Sequence, residues 1–484
     1  MSHSIKSDAS PNSSTDQFCS AELTLLCRSG FLGKRFFLDE EGKIRKEAAG
    51  NFMDFRARRF NIGDAIQMKV LVEALTPDMA LVFGTAPHLP EQFLLSAHGA
   101  RRNRETFQFS PGPGWLLLDY DTDQMSEDVR QRIEELGGAV AAMEHVWPEL
   151  KTACRVLKPS SSSGVYRTGN QPPDKFEGFH LYVLVRNQEK SDQILRALEA
   201  RAWAAGLGWI KISTSGHLLI RSIFDKMVGA PERLVFAGPP QLGVGVERVV
   251  FPIEWQEGDF PEAPKLPEST EWLRRISEEK ERLRPAAKKS EREWTKGQVR
   301  KSVRQGVPVR EAFRSAKACR DGSVLTDDAM LELNNGSSIR VGDLLDQGPP
   351  ASGKLSLPSP LDGLEYGRSK ATLLWSNGYA PIIVDHAHGL RRRFTFARFE
   401  GSNVVPETSK AFLSVPELEV SSRRQLAGLL QASDATNARD RTIAAAKRLF
   451  WSVPAEWCLD DMLEWLRTHL GSGPIDLLEV ASAA

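Results

Sequence analysis

The period of the hydrophobic pattern changes along the chain, and those changes outline its elements. WLLLDYD at 115–121 is a continuous apolar run ending in acids, which predicts a buried strand. SEDVRQRIEELGG follows, with Ser126 as the candidate N-cap, acids in the first turn and glycine at the end, so a helix is expected. A second helix is predicted around 139–150, then a strand ACRVLKP, a serine-rich turn SSSSG and a strand GFHLYVLV at 178–185. SDQILRALEARAWAAGLG reads as a helix, and WIKIS and HLLIRSIFD as two more strands. The order β-α-β-β-α-β describes an α/β (α+β) fold with a layered sheet of ferredoxin-like or RNA-recognition type.

Near residue 258 the pattern shifts: GDFPEAPKLPEST is rich in proline and acid, and a charged helical pattern follows it. The chain accordingly divides into a mobile tail at 1–18, an α/β domain at 19–257, a Pro/acid-rich then basic helical linker at 258–306, a mixed α/β module at 307–415 and a helical module at 416–484. The runs ATLLW, APIIV and RRFTFARF predict strands in the mixed module, while SSRRQLAGLLQA, RDRTIAAAKRLFWSVP and DDMLEWLRTHL predict helices beyond it. From Arg274 to Arg304, twelve Lys or Arg stand against five Glu, a local net of +7. Such a segment is either a solvated helix laced with i,i+4 pairs or a surface that tracks phosphates.

Composition adds two exclusions. Over 484 residues, 63 Lys and Arg balance 63 Asp and Glu, so no global charge draws the chain to nucleic acid or anionic membrane, and any such pull is local. The five cysteines (Cys19, Cys27, Cys154, Cys319, Cys458) lie far apart without finger spacing, which indicates neither a disulfide framework nor a zinc ribbon. No apolar run approaches the roughly 18 residues of a membrane span, and the first twenty residues carry no hydrophobic signal core. A soluble, cytoplasmic protein without membrane contact is the expectation.

The candidate chemistry sits at strand ends. Asp119 and Asp121 alternate around Tyr120, so on a strand both carboxylates project to one face, about 6.5 to 7 Å apart along the backbone. Such a pair can grip a hard divalent cation together with substrate phosphate oxygens. His180 lies within FHLYVLV, and Asp225 closes the apolar run LLIRSIFD as Asp119 and Asp121 close theirs. Crowded carboxylates repel, so raised pKa values are expected in the cation-free protein.

These residues resemble the archaeo-eukaryotic primase (AEP) superfamily, in particular the primase-polymerases of phages, plasmids and integrated mobile elements. WLLLDYD is similar to its hydrophobic-Asp-x-Asp motif, EGFHLYVLV to its small-x-His motif and LLIRSIFD to its hydrophobic-Asp motif. The resemblance covers roughly residues 22–252, including the flanks KPSSSSGVY, SGHLLIRSIFD and PERLVFAGPPQLG. A weaker similarity in LDGLEYGRSKATLLWSNGYAPIIVDHAHG is to a segment that follows the catalytic domain in such proteins.

The resemblance implies an AEP-like catalytic domain that performs template-directed nucleotidyl transfer as DNA primase, DNA polymerase or both. It implies two Mg²⁺ or Mn²⁺ ions held by Asp119, Asp121 and Asp225, and His180 bonded to the triphosphate of an incoming NTP or dNTP. Lys158, Ser160, Ser161, Ser162, Ser163 and Arg221 would line the nucleotide pocket. Gly178 stands where many relatives carry Ser. The implied partners are a single-stranded DNA template and a helicase acting in trans, because the chain shows no motor of its own. GPPASGKL at 348–355 imitates a phosphate loop, but Leu355 replaces the hydroxyl and no strand runs into Gly348. HAHGLRRRF at 386–394 lacks the spacing of a zinc set and reads as a loop entering a strand, or as a nucleic-acid contact. Two other functions use the same residues: a metal-dependent nuclease or phosphodiesterase with water as nucleophile, and a non-catalytic single-strand-binding replication initiator.

Overall fold

Two large hydrophobic clusters organise the chain, and a 34-residue helix packs its first half in a smaller cluster and Trp294 against the second. The computed structural model describes residues 21–399 apart from 49–53, 97–98, 376–378 and 390. The tail at 1–18 and the helical module at 416–484, with Trp451, Trp457 and Trp465, lie outside the described residues. Among the described residues no helix is long and apolar enough to cross a membrane. The protein is a mixed α/β molecule built on several mainly antiparallel sheets.

The first sheet has the order β5-β1-β4-β6, from β1 (Glu22–Cys27), β4 (Phe55–Asn61), β5 (Met79–Val82) and β6 (Gln92–Leu95). A hairpin of β2 (Lys34–Leu38) and β3 (Ile44–Ala48) stands outside it. Helix α1 (Ala65–Ala74) starts where the Asp64 carboxylate accepts from the Gln67 amide at 2.7 Å.

The second sheet carries the predicted acids. Its strands are β7 (Gly114–Tyr120), β8 (Arg155–Pro159), β10 (Phe179–Val185) and β15 (Glu254–Gln256), in the order β15-β8-β10-β7, every neighbour antiparallel. Every residue of β10 is buried, as its unbroken apolar run demands. Between β7 and β8 run α2 (Glu127–Glu135) and α3 (Ala139–Val146); the helix expected to reach residue 150 ends at Val146, and Pro148 opens a 3₁₀ turn. The serine turn leads to β9 (Val165–Arg167), which pairs with β14 (Val246–Arg248). Short strand β13 (Gln241–Leu242) runs parallel to β2.

The expected β-α-β-β-α-β order is present, and β10 lies between β7 and β8 as a split β-α-β unit requires. The last two strands depart from it. After α4 (Ser191–Ala204), β11 (Gly208–Ile212) and β12 (Leu218–Ser222) pair only with each other, and β15 supplies the fourth strand of the sheet. Burial explains the departure: Ile210, Leu218 and Ile220 pack against Trp203 of α4 and against Trp272, Ile276 and Leu283 of the long helix α5 (Glu271–Arg304). The apolar side of the hairpin is satisfied there and not by a place in the sheet.

The Pro- and acid-rich stretch before α5 is laid along the α/β core, where Phe260 and Ala263 pack and the Cys154 amide donates to the Asp259 carbonyl at 2.8 Å. Helix α5 and α6 (Val309–Gly322) then lead to strands β16 (Val324–Leu325), β17 (Met330–Glu332), β18 (Ser338–Arg340), α7 (Val341–Asp346), β19 (Lys354–Leu357), α8 (Gly363–Tyr366), β20 (Ala371–Leu374), β21 (Ile382–Asp385) and β22 (Arg392–Phe396). Five of them form a sheet in the order β16-β22-β21-β20-β19. The phosphate-loop imitation GPPASGKL is a turn that runs into β19, not into a helix. His388 of the HAHG segment packs against Asp362, Nε2 to Oδ1 3.1 Å, while Asp362 also accepts from Thr214 of the β11–β12 turn at 2.9 Å.

That turn rests on α5 with no room to spare. Gly216 adopts φ +81°, and a Cβ there would lie 2.5 Å from the Ala287 carbonyl oxygen. Gly216→Ala is expected to cost about 2–4 kcal/mol, from left-handed strain plus overpacking. Gly112→Ala, at φ +88° with open space around it, should cost only about 1 kcal/mol. Urea unfolding of the two variants checks this, and equal losses would contradict the close approach.

Candidate active site

Antiparallel register sets the first row of the site. His180 pairs with Asp119 on one side and with Lys158 on the other, so the three side chains rise from one face of β7, β10 and β8. Further down the same face stand Leu117, Tyr182 and Val156, all buried. The polar row is therefore the point where an apolar face reaches the open end of the sheet.

His180 is held in one state. Burial, then Lys34 and Lys158, push its imidazole down to about 3, so it is neutral across the physiological range. Its Nδ1 lies 3.1 Å from the Tyr182 hydroxyl and its Nε2 3.6 Å from Asp119 Oδ1. Burial keeps the Tyr182 hydroxyl protonated, so it can donate to Nδ1, and in that tautomer Nε2 carries the hydrogen and faces Asp119. The row thus presents a neutral N–H donor beside Asp119.

The acids converge from two segments, the end of β7 and the exit of β12. Asp225 follows β12, and its backbone amide donates to the Asp119 carbonyl at 3.2 Å, which draws the hairpin's exit to the end of β7. Asp121 lies just past β7, exposed, with its carboxylate accepting from the Asp123 amide at 3.1 Å. Asp225 likewise accepts from the Met227 amide at 2.9 Å. Burial first, then Asp225 and Asp121, raise the Asp119 carboxyl to about 7, against the opposing pull of Lys34 and Arg233. The expected rise falls on Asp119, with burial as its largest cause and the neighbouring carboxylates adding to it. The donors are hard oxygens of the kind that suits Mg²⁺ or Mn²⁺, and a cation between them would relieve their repulsion. Among the described residues no three His, Cys, Asp or Glu side chains are already gathered as a metal set.

Opposite the acids stands a cationic and hydroxyl wall. Ser160, Ser161 and Ser163 are buried. The Ser163 hydroxyl bonds the Gly178 carbonyl, the Ser160 amide donates to the same carbonyl at 2.9 Å, and Arg248 donates to the Ser163 and Ser160 carbonyls at 3.0 and 3.2 Å. Ser162 is the exception: its hydroxyl accepts from Lys34 Nζ at 3.1 Å. Burial and then Arg248 lower the Lys158 ammonium to about 8, and burial and then Lys46 lower that of Lys34. Both stand among cations, so an anion entering the wall would be stabilised by relief of that repulsion. A Cβ at Gly178 would lie 3.2 Å from the Tyr120 carbonyl and 3.4 Å from Ser160 Oγ, so the turn's own hydroxyls already fill the neighbourhood a serine there would enter.

No protein-family model, curated protein or solved structure matches this chain. The site therefore rests on its own geometry. Of the residues singled out in the sequence, Asp119, Asp121, Asp225, His180, Lys158 and the serine turn surround one sheet end. Arg221 pairs across the hairpin with Trp209, whose indole N–H donates to the Asp123 carbonyl, and its charge, like that of Arg233, acts on Tyr366 of the mixed module. Lys34, Arg233 and Arg248 take the cationic places; Arg233 lies within the flank PERLVFAGPPQLG, while the sequence offers no signal for Lys34 or Arg248. Lys34 lies 85 positions before Asp119 in an ordinary strand, and only the approach of the β2–β3 hairpin to the serine turn brings it in.

Proposed function

We propose that the chain is a DNA primase-polymerase of the AEP kind, performing metal-dependent, template-directed nucleotidyl transfer on single-stranded DNA during replication of a mobile element. The observation that carries this reading is the convergence of Asp119, Asp121 and Asp225 at one open sheet end, beside a neutral His180 donor and the Lys34–Ser162 contact. The motif resemblance supports it independently, because these acids and this histidine are the ones it singles out.

Under this reading Asp119, Asp121 and Asp225 hold one or two Mg²⁺ or Mn²⁺ ions, which when bound supply activation of the primer 3′-hydroxyl and neutralisation of the departing pyrophosphate. The protein's own groups bind and orient. Nε2–H of His180 donates to a phosphate oxygen of an incoming NTP or dNTP, and its neutrality keeps it from competing as a cation for the carboxylates. Tyr182 is a positioning residue that fixes this tautomer. Lys34 and Lys158 neutralise phosphate charge, and the Ser162 hydroxyl, freed from Lys34, adds a donor. Arg248 holds the turn that presents it.

A priming and extension assay on single-stranded DNA tests the proposal. The wild-type chain should lengthen or initiate strands with Mg²⁺ or Mn²⁺ and nucleotides, and Asp225→Ala should lower the rate at least about 100-fold, roughly 2.7 kcal/mol of transition-state stabilisation. Nucleotide-independent shortening of labelled DNA would instead identify a nuclease. Unchanged behaviour of an Asp119→Ala, Asp121→Ala double variant would identify a non-catalytic binder.

A further inference from the structure

Helix α5 treats its charges in two ways. In its first half the arginines are neutralised locally: Arg274 pairs with Glu271 and Glu278, Arg275 with Glu271, Arg282 with Glu279 and Arg284 with Glu281, all three or four residues apart. The second half has no such compensation. Lys288, Arg292, Lys296, Arg300 and Arg304 recur every four residues, Lys289 flanks them, and all six are exposed with no carboxylate in ion-pair range among the described residues. Glu291 and Lys301, on the other side of the helix, are engaged with Arg320 and Glu332. Glu293 and Val303 interrupt the exposed sector.

The stripe is about 24 Å long, and its cations step about 6 Å along the axis. The row winds gradually around the helix: Lys288 borders the buried face of this half, through Ala287, Thr295 and Ser302, and Lys296, Arg300 and Arg304 point away from it. The stripe begins where the β11–β12 turn meets Ala287 and Glu291. That turn is the end of the hairpin opposite Asp225, so the stripe extends away from the acids. Beyond the stripe, the first turns of α6 expose Phe313 (50%) beside Arg310 and Arg314, residues that share one helical face.

We infer that the second half of α5 and the start of α6 form a phosphate-tracking surface for single-stranded nucleic acid, with Phe313 as a base-stacking platform. A row of uncompensated cations at constant spacing suits a polyanion of repeating charge, and an adjacent exposed aromatic ring suits unpaired bases. The choice of nucleic acid over another polyanion rests on the function proposed above. The surface holds the strand remote from the reacting end, so it governs binding and template length, not the chemical step.

The test is fluorescence anisotropy of the full chain with a labelled DNA single strand, across salt concentrations. Neutralising Lys288→Gln, Arg292→Gln, Lys296→Gln and Arg300→Gln together should weaken binding at least tenfold at about 0.1 M salt and make the log–log salt slope shallower by about 3, since each phosphate contact contributes about 0.7. Replacing Arg274, Arg282 and Arg284 with Gln in the paired half should leave the slope unchanged. Phe313→Ala should weaken single-strand binding about tenfold with no change in slope. Thermal melting near wild type confirms that the exposed substitutions leave the fold intact. An unchanged slope in the quadruple variant, or no affinity of the wild type for nucleic acid, overturns the inference even if the chain polymerises. A shifted slope in a chain that incorporates no nucleotide upholds the surface and removes only the proposed function.

Discussion

Asp119→Asn is expected to abolish nucleotidyl transfer, by at least about 1,000-fold, while making the cation-free protein more stable at pH 8. The sign follows from linkage. The Asp119 carboxyl is raised from 3.8 to about 7 in the folded chain, so between these values the folded state binds the proton that the unfolded state has lost. Wild-type stability from this group therefore falls as pH rises through that window, and above pH 7 the charge is fully opposed by burial and by Asp225 and Asp121. At about 1.4 kcal/mol per pKa unit the penalty reaches a few kcal/mol, an upper bound because the side chain keeps 28% exposure. Asparagine removes it. The variant's advantage in urea unfolding should be largest at pH 8, shrink below pH 7 and vanish near pH 4. Addition of Mn²⁺ should stabilise the wild type and leave the variant nearly unmoved. An advantage that does not vary with pH would contradict the crowding of acids on which the site depends.

Trp115→Ala is expected to be the most destabilising single truncation of the α/β core. Trp115, the second residue of β7, is fully buried, its indole N–H donates to the Ile62 carbonyl at 2.8 Å, and its own carbonyl accepts from Gln188 Nε2 at 2.9 Å. Emptying that volume costs about 3–5 kcal/mol, and the stranded Ile62 carbonyl adds about 1 kcal/mol. Against a total of about 5–15 kcal/mol, this is a large share of the folded state's margin. The melting temperature should fall by on the order of 10 °C. Trp255→Ala, on edge strand β15 and 46% exposed, should shift it little. Similar shifts for the two would contradict the burial of β7 within the core. The comparison also bears on function, because the strand that Trp115 anchors carries Asp119 near its other end.

Much of the α/β domain was legible in the sequence where the signal is local. The unbroken apolar runs marked β7 and β10, and the helical period with its glycine stop marked α2. Asp119, Asp121, Asp225 and His180 were visible because each stands at or near the end of such a run. The basic segment 274–304 was legible as a helix, and its first half carries the expected short-range pairs. Its second half leaves the other reading open, because charge counts do not tell which cations a fold leaves uncompensated.

The remainder depends on contacts between distant segments. The hairpin β11–β12 left the sheet because α5, more than fifty residues later, offers its apolar side a better burial, and no local period encodes that competition. Lys34, Arg233 and Arg248 entered the site from separate loops and strands. The sequence alone determined which segments are strands and helices and which acids close them, since those choices are made by neighbours a few residues apart. Only the tertiary structure decided that Asp119, His180 and Lys158 share one row, which cations face them and which charges stay bare on α5, because register and burial are settled by free energy summed over the whole packed chain.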